Sequence, residues 1–138
     1  MKVVTCALCK EVLFDKFTNT FSFIHILEQV RPRQYPFILS DVSIGLLMEF
    51  EAPTSSLSLQ VSCLGAGSPG ARVAGFGLRN LEAGIQKLHL RLHEITLVKP
   101  GRYDFQITAH DGMHQGLVAS LPLLAVGPMP SEGKRSLE

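Results

Sequence analysis

Hydrophobic and polar positions alternate with a period of two along most of this chain, and the alternation breaks at residues that favour turns. The clearest case follows Pro100-Gly101. Tyr103, Phe105, Ile107 and Ala109 fall on one face, with Asp104, Gln106, Thr108 and His110 on the other. Pro100 presets its own φ and Gly101 tolerates φ > 0, so the pair predicts a tight reversal that launches a half-buried antiparallel strand. Residues 57–63 alternate as cleanly, and residues 42–50 place Val42, Ile44, Leu46, Met48 and Phe50 on one face.

The run over residues 3–12 is nearly continuous apolar and β-branched, and predicts a strand buried on much of both faces. A break over residues 14–20, where Asn19 suits a left-handed turn position, separates it from the β-formers of residues 21–30. The two runs predict a hairpin. Arg31-Pro32-Arg33-Gln34-Tyr35-Pro36 must leave the sheet, because neither proline can donate to a ladder; it predicts a connection crossing between sheets. Residues 51–56 and the glycine-rich residues 65–70 read as loops, and residues 73–78 as a weak, glycine-rich strand. Asp111-Gly112 predicts a hairpin turn. Residues 117–126 return as the last strand, with Pro122 forcing it to an edge or a bulge.

Residues 80–98 read two ways. Leu81, Ile85, Leu88, Leu92 and Ile95 make a helical stripe that Asn80 would cap. Residues 88–93 alternate strictly, Leu90 spoils the polar face of that helix, and Gly84 weakens it by about 1 kcal/mol. The strand is the favoured reading, with the shift of parity to Ile95 and Leu97 marking a β-bulge near Glu94. The whole predicts an all-β, antiparallel immunoglobulin-like β-sandwich of about eight or nine short strands. Its domain spans residues 1–126, and the polar, small-residue stretch 127–138 reads as a disordered tail. Tyr103, just after a turn and entering a late strand, predicts a hydroxyl bonded back to the corner, a tyrosine corner.

Composition narrows the partners. A chain of 138 residues suits one domain with a full core, and 18% charged residues is low. A net charge of +1 offers no electrostatic reason to expect nucleic acid or an anionic membrane. No apolar run approaches the roughly 20 residues of a membrane helix. The opening residues are too soon interrupted for a signal peptide, and three scattered cysteines do not suggest a disulfide framework. The expectation is a cytoplasmic protein with reduced thiols.

Candidate chemistry is sparse. His89 and His93 are four apart, as are His110 and His114, and imidazoles on neighbouring strands do bind zinc or copper. The plainer reading puts His89, Arg91 and His93 on the solvated face of a strand, with His110 and His114 flanking the Asp111-Gly112 turn. Cys6 and Cys9 spell CxxC, but spacing of three in a strand sends the thiols to opposite faces, so buried, inert cysteines are expected. Glu49 and Glu51 would share a strand face as paired carboxylates, or simply solubilise its end. Arg31, Arg33 and Tyr35 between prolines would present a recognition surface, against the plainer reading of a strained crossing between sheets. Nucleophile-elbow, dinucleotide and P-loop patterns do not occur, and residues 65–70 lack the lysine and helix of a phosphate loop.

Three segments together carry a family resemblance: Ala7-Leu8-Cys9-Lys10-Glu11-Val12, then Thr20-Phe21-Ser22-Phe23-Ile24-His25-Ile26-Leu27 leading to Tyr35-Pro36-Phe37, then Pro100-Gly101-Arg102-Tyr103-Asp104-Phe105 with a closing strand through Leu121-Pro122-Leu123. In these the chain resembles an uncharacterised family of small bacterial proteins. The resemblance implies an immunoglobulin-like sandwich and brings no catalytic residues; this chain departs from the pattern in its glycines at 65–70 and 75–77.

The expectation is therefore a non-enzymatic protein-interaction or assembly module without a cofactor. It would engage a protein partner or a second copy, as a homo-oligomer, through sheet edges, chiefly residues 73–78 and 117–126. The rival expectation is a metal- or small-ligand site on His89, His93, His110 and His114.

Overall fold

The computed structural model describes residues 1–65 and 68–127, and of residues 68–70 the backbone alone. The described residues are all-β, with eleven strands. Eight are long: β1 (Lys2–Asp15), β2 (Thr20–Ile26), β5 (Val42–Phe50), β6 (Thr54–Gly65), β7 (Ser68–Leu81), β8 (Gly84–Leu92), β10 (Gly101–His110) and β11 (Gln115–Ala125). Three are short pieces: β3 (Gln29–Val30), β4 (Phe37–Leu39) and β9 (Ile95–Leu97). One sheet runs β2-β1-β5-β8, a second runs β3-β11-β10-β6-β7, and β4 pairs with β9.

The alternating strands build one core. Ile44, Leu46 and Met48 from β5, Leu88, Leu90 and Leu92 from β8, Leu57, Leu59 and Val61 from β6, and Tyr103, Phe105 and Ile107 from β10 are buried in a single cluster. A side chain buried from each of two sheets removes apolar area from water twice over the same interface, at roughly 25 cal/mol per Å². β5 is buried on its other face too: Ser43 is 3% exposed and Gly45 is buried.

Residues 80–98 are strand, with no helix. The expected bulge near Glu94 is instead a change of sheet: β8 pairs with β5 through Leu92, and β9 pairs with β4. Leaving one sheet for another resets the parity that a bulge would shift. Residues 21–30 break the same way. β2 pairs with β1 as far as Ile26, Leu27 N–H donates to the Leu8 carbonyl at 2.7 Å, and β3 then runs parallel to β11. The imperfect alternation there marks a strand that switches sheets. The loop read at residues 51–56 is shorter than expected, since β6 starts at Thr54. The loop read at 65–70 contracts as well: Gly65 pairs with Ser68, and residues 66–67 lie outside the described residues. So does the predicted tail from residue 128 onward.

The expectation that residues 3–12 are buried on both faces is corrected: Val4, Thr5, Lys10 and Glu11 are exposed. β1 pairs with β5 only as far as Cys9, and from Glu11 to Asp15 its one partner is β2. That distal hairpin, exposed over residues 13–20, still touches the sheet. Lys87 in β8 donates to Asn19 Oδ1 at the hairpin tip, 2.6 Å away, and its Nζ sits 5.0 Å from the Phe14 ring centroid. Phe23 lies directly on Gly45, where no side chain stands in its way. The β1–β2 hairpin is thus an arm folded back over the outer face of the four-stranded sheet. Its bend is at Lys10 and His25, where the ladder lapses and His25 takes φ +53°.

The predicted corner is present. Tyr103 Oη donates to the Lys99 carbonyl at 2.7 Å, and Gly101 has φ +146°. Asn19 has φ +57°, as its turn position requires. At the β10–β11 turn Gly112 has φ +95° and Asp111 Oδ1 accepts from the backbone N–H groups of Met113 and His114 at 3.0 and 2.7 Å.

Candidate functional site

Two features of the described residues stand out: a free sheet edge and a polar cleft under the arm. The edge is β7, last in the five-stranded sheet, paired only with β6. Every second residue of such a strand aims its N–H and C=O away from the sheet. Register shifts interrupt the β6–β7 ladder at Val61/Ser62 and at Cys63/Gly65, and Asn80 with φ +55° disturbs the far end. Between them residues 74–79 pair in unbroken register, with neither proline nor charge before Arg79. Ala74, Phe76 and Leu78 turn toward the core, half-buried, so Gly75, Gly77 and Arg79 occupy the outer face.

Most other edges carry the devices that natural sheets use to discourage pairing; the exception is β2, an outer strand of the four-stranded sheet, which pairs with β1 in unbroken register over residues 20–24 with neither proline nor charge. The first part of β1, which β2 joins only from Cys9, has a bulge between Val3 and Thr5. β8 carries Lys87, His89 and Arg91. β11 is covered by β3 at Leu124 and Ala125, has Pro122 just before that, and shifts register against β10 between Ile107 and Thr108. Of the two segments expected as edges, residues 73–78 lie on an unpaired one, whereas 117–126 are partly covered.

The cleft, of about 380 Å³, lies at the bend of the arm and gathers Lys10, Glu11, His25, Asp41, Ser43, His89 and Arg91. Ser43 and His89 face each other across neighbouring strands of the outer face, with Ser43 Oγ 2.8 Å from His89 Nε2. Burial, then the nearby Arg91 charge, holds the His89 imidazole below its ordinary range, against the pull of Glu11. A hydroxyl on an imidazole is half of a nucleophile–base pair. Here the bond first satisfies a hydroxyl that the centre of the sheet buries. Asp41 and Arg91 approach at 4.0 Å with both side chains largely exposed, a contact worth little. A second cleft, about 530 Å³ and mostly apolar, opens between β1 and β11 where Leu27 crosses from one sheet to the other.

The four expected histidines do not converge. His89 lies on β8 of the four-stranded sheet, with His93 just past its end; His110 ends β10 of the five-stranded sheet, and His114 lies in the turn before β11. His114 Nδ1 is 3.6 Å from Asp111 Oδ2, across the turn. Among the described residues no group of three or more His, Cys, Asp or Glu side chains has the geometry to hold a metal ion. Cys6 packs against the main core and Cys9 is buried outside it. Burial, helped by Cys9, pushes the Cys6 thiol up to about 12, burial raises Cys9, and burial takes Cys63 to about 11. Glu49 stands on the outer face of β5 and Glu51 lies in the bend beyond it, so the strand ends between them. Arg31 and Arg33 are exposed on a connection that buries Pro32 and donates the Tyr35 hydroxyl to the Val126 carbonyl.

Sequence reasoning missed His25, Glu11 and Asp41 as neighbours of His89. They come from segments far apart in the chain, and only the folding back of the arm unites them. No family model matches the chain, and no curated protein matches it in sequence.

Proposed function

We propose that this chain is an immunoglobulin-like β-sandwich serving as a non-enzymatic protein-interaction or assembly module, which takes up an extended strand at a sheet edge. The free, regular edge of β7 carries this reading: residues 74–79 offer outward backbone groups with no bulge, proline or charge before Arg79. The fold assignment is supported by strand order. β5 beside β8, facing β11-β10-β6-β7, follows strands B and E against G, F, C and C′ of such domains, and Tyr103 occupies the corner position at the start of F. Three free thiols, two buried and one half-buried, suit a reducing compartment such as the cytoplasm.

The test is selection of peptides from a random displayed library on the immobilised full chain, with the bound site mapped by amide exchange. New protection at residues 74–79 is the expected result. Binders that map to the cleft at His89 and His25, or no binders at all, would overturn it.

A further inference from the structure

The outer face of the β7 edge has a charge pattern that selects its partner. The Arg72 guanidinium lies over Gly75, occupying the space a side chain there would need. Gly77 has nothing within 4 Å of where its Cβ would stand. Arg79 follows on the same face, two residues on. Two cationic positions, at residues 75 and 79, are therefore about 13 Å apart along the strand with an empty site between them. On the inner face Phe76 and Leu78 present half-buried apolar surface at the rim of the core. Among the described residues neither Arg72 nor Arg79 is in an ion pair.

A second copy of β7 does not fit this edge well. Antiparallel self-pairing centred on Gly77 sets the Arg72 guanidinium, which lies over Gly75, opposite Arg79 of the other copy, twice, and like charges directly opposed are destabilising. We infer that the edge of β7 binds an extended segment of a partner protein with the pattern acidic–apolar–aromatic–apolar–acidic. The acidic side chains pair with the guanidinium groups of Arg72 and Arg79. The aromatic ring covers Gly77, as bulky cross-strand neighbours cover glycines elsewhere in sheets. The two apolar side chains extend the core rim beside Phe76 and Leu78. This rests on the strand-addition reading above and adds the chemistry of the strand.

The test uses the full chain and two labelled peptides, Thr-Glu-Val-Tyr-Val-Glu-Thr and its counterpart with lysine for both glutamates, titrated by fluorescence anisotropy. The glutamate peptide is expected to bind about ten-fold or more tightly than the lysine one, the worth of two exposed charge pairs plus relieved repulsion. The Arg72→Glu/Arg79→Glu double variant, altered only at exposed side chains, is expected to reverse the order. Equal binding of the two peptides, or an order unmoved by the double variant, would overturn the inference. Should library peptides protect residues 74–79 while showing no acidic preference, this inference alone falls. Should nothing bind that edge, both readings fall.

Discussion

The Tyr103 hydroxyl donates to the Lys99 carbonyl at 2.7 Å, and the Lys99 N–H donates back to the Tyr103 hydroxyl oxygen at 3.4 Å. The phenol ring is 4% exposed, so its one polar atom reaches out of the core to close the turn from which β10 starts. Tyr103→Phe keeps the ring and orphans the turn. It should cost about 1 kcal/mol in urea denaturation; a midpoint that stays where the parent's is would contradict that role.

Phe23 on Gly45 makes the sharpest packing prediction. A methyl on Gly45 would occupy the Phe23 ring. Gly45→Ala should therefore lift the arm and destabilise the chain by about 1–3 kcal/mol, the range for overpacking. Amide exchange at residues 21–24 should speed up with it. Adding Phe23→Ala removes the obstacle, so in that background Gly45→Ala should be nearly neutral. Additive penalties would show that the two residues do not meet.

The His89 imidazole gives stability a pH dependence of known sign. Its folded pKa lies below the unfolded value of 6.5, so above that pH both states are neutral and its contribution is complete. As pH falls from 6.5 toward the lowered folded value the unfolded chain gains the proton first, and stability drops. His89→Gln should flatten the curve in that window, followed by urea midpoints at successive pH values. His89 is an exposed residue, so the effect is small but readable. An unaltered slope would mean that the pH dependence in that window does not come from His89, which faces His25, Glu11, Asp41 and Arg91 across the cleft.

With Cys6 held near 12 and Cys63 near 11, and Cys9 raised as well, none of the three thiols is a nucleophile near neutrality. Native protein at about pH 8 should leave all three unmodified by an alkylating reagent, and urea should expose three equivalents at once. Rapid labelling of Cys6 or Cys9 in the native state would instead point to an accessible pair.

Much of the architecture was legible because it is local. The period-two faces of residues 42–50, 57–63 and 103–109 are the core faces of β5, β6 and β10, since strand geometry alone sends alternate side chains to opposite sides. The turns at Asn19, Pro100-Gly101 and Asp111-Gly112 were also readable, because left-handed or preset φ values need particular residues whatever surrounds them. The candidate site was less so. Residues 73–78 announced a weak strand, but nothing local says whether a strand has a second neighbour.

Tertiary structure decided the rest. The break in alternation at Glu94 looks like a bulge and residues 21–30 look like one hairpin strand, and only pairing shows that the chain changes sheets at both. The aromatic residues Phe14, Phe21 and Phe23 read as part of a hairpin; that Phe23 covers Gly45 on the back of β5 and Phe14 meets Lys87 on β8 is decided by the fold. The amino-acid order by itself determined which residues alternate and where the chain can turn, because those are properties of a few neighbouring dihedrals. Which strands meet, which face the arm covers and which edge is left open are properties of contacts between residues dozens of positions apart, and these form only when the core closes.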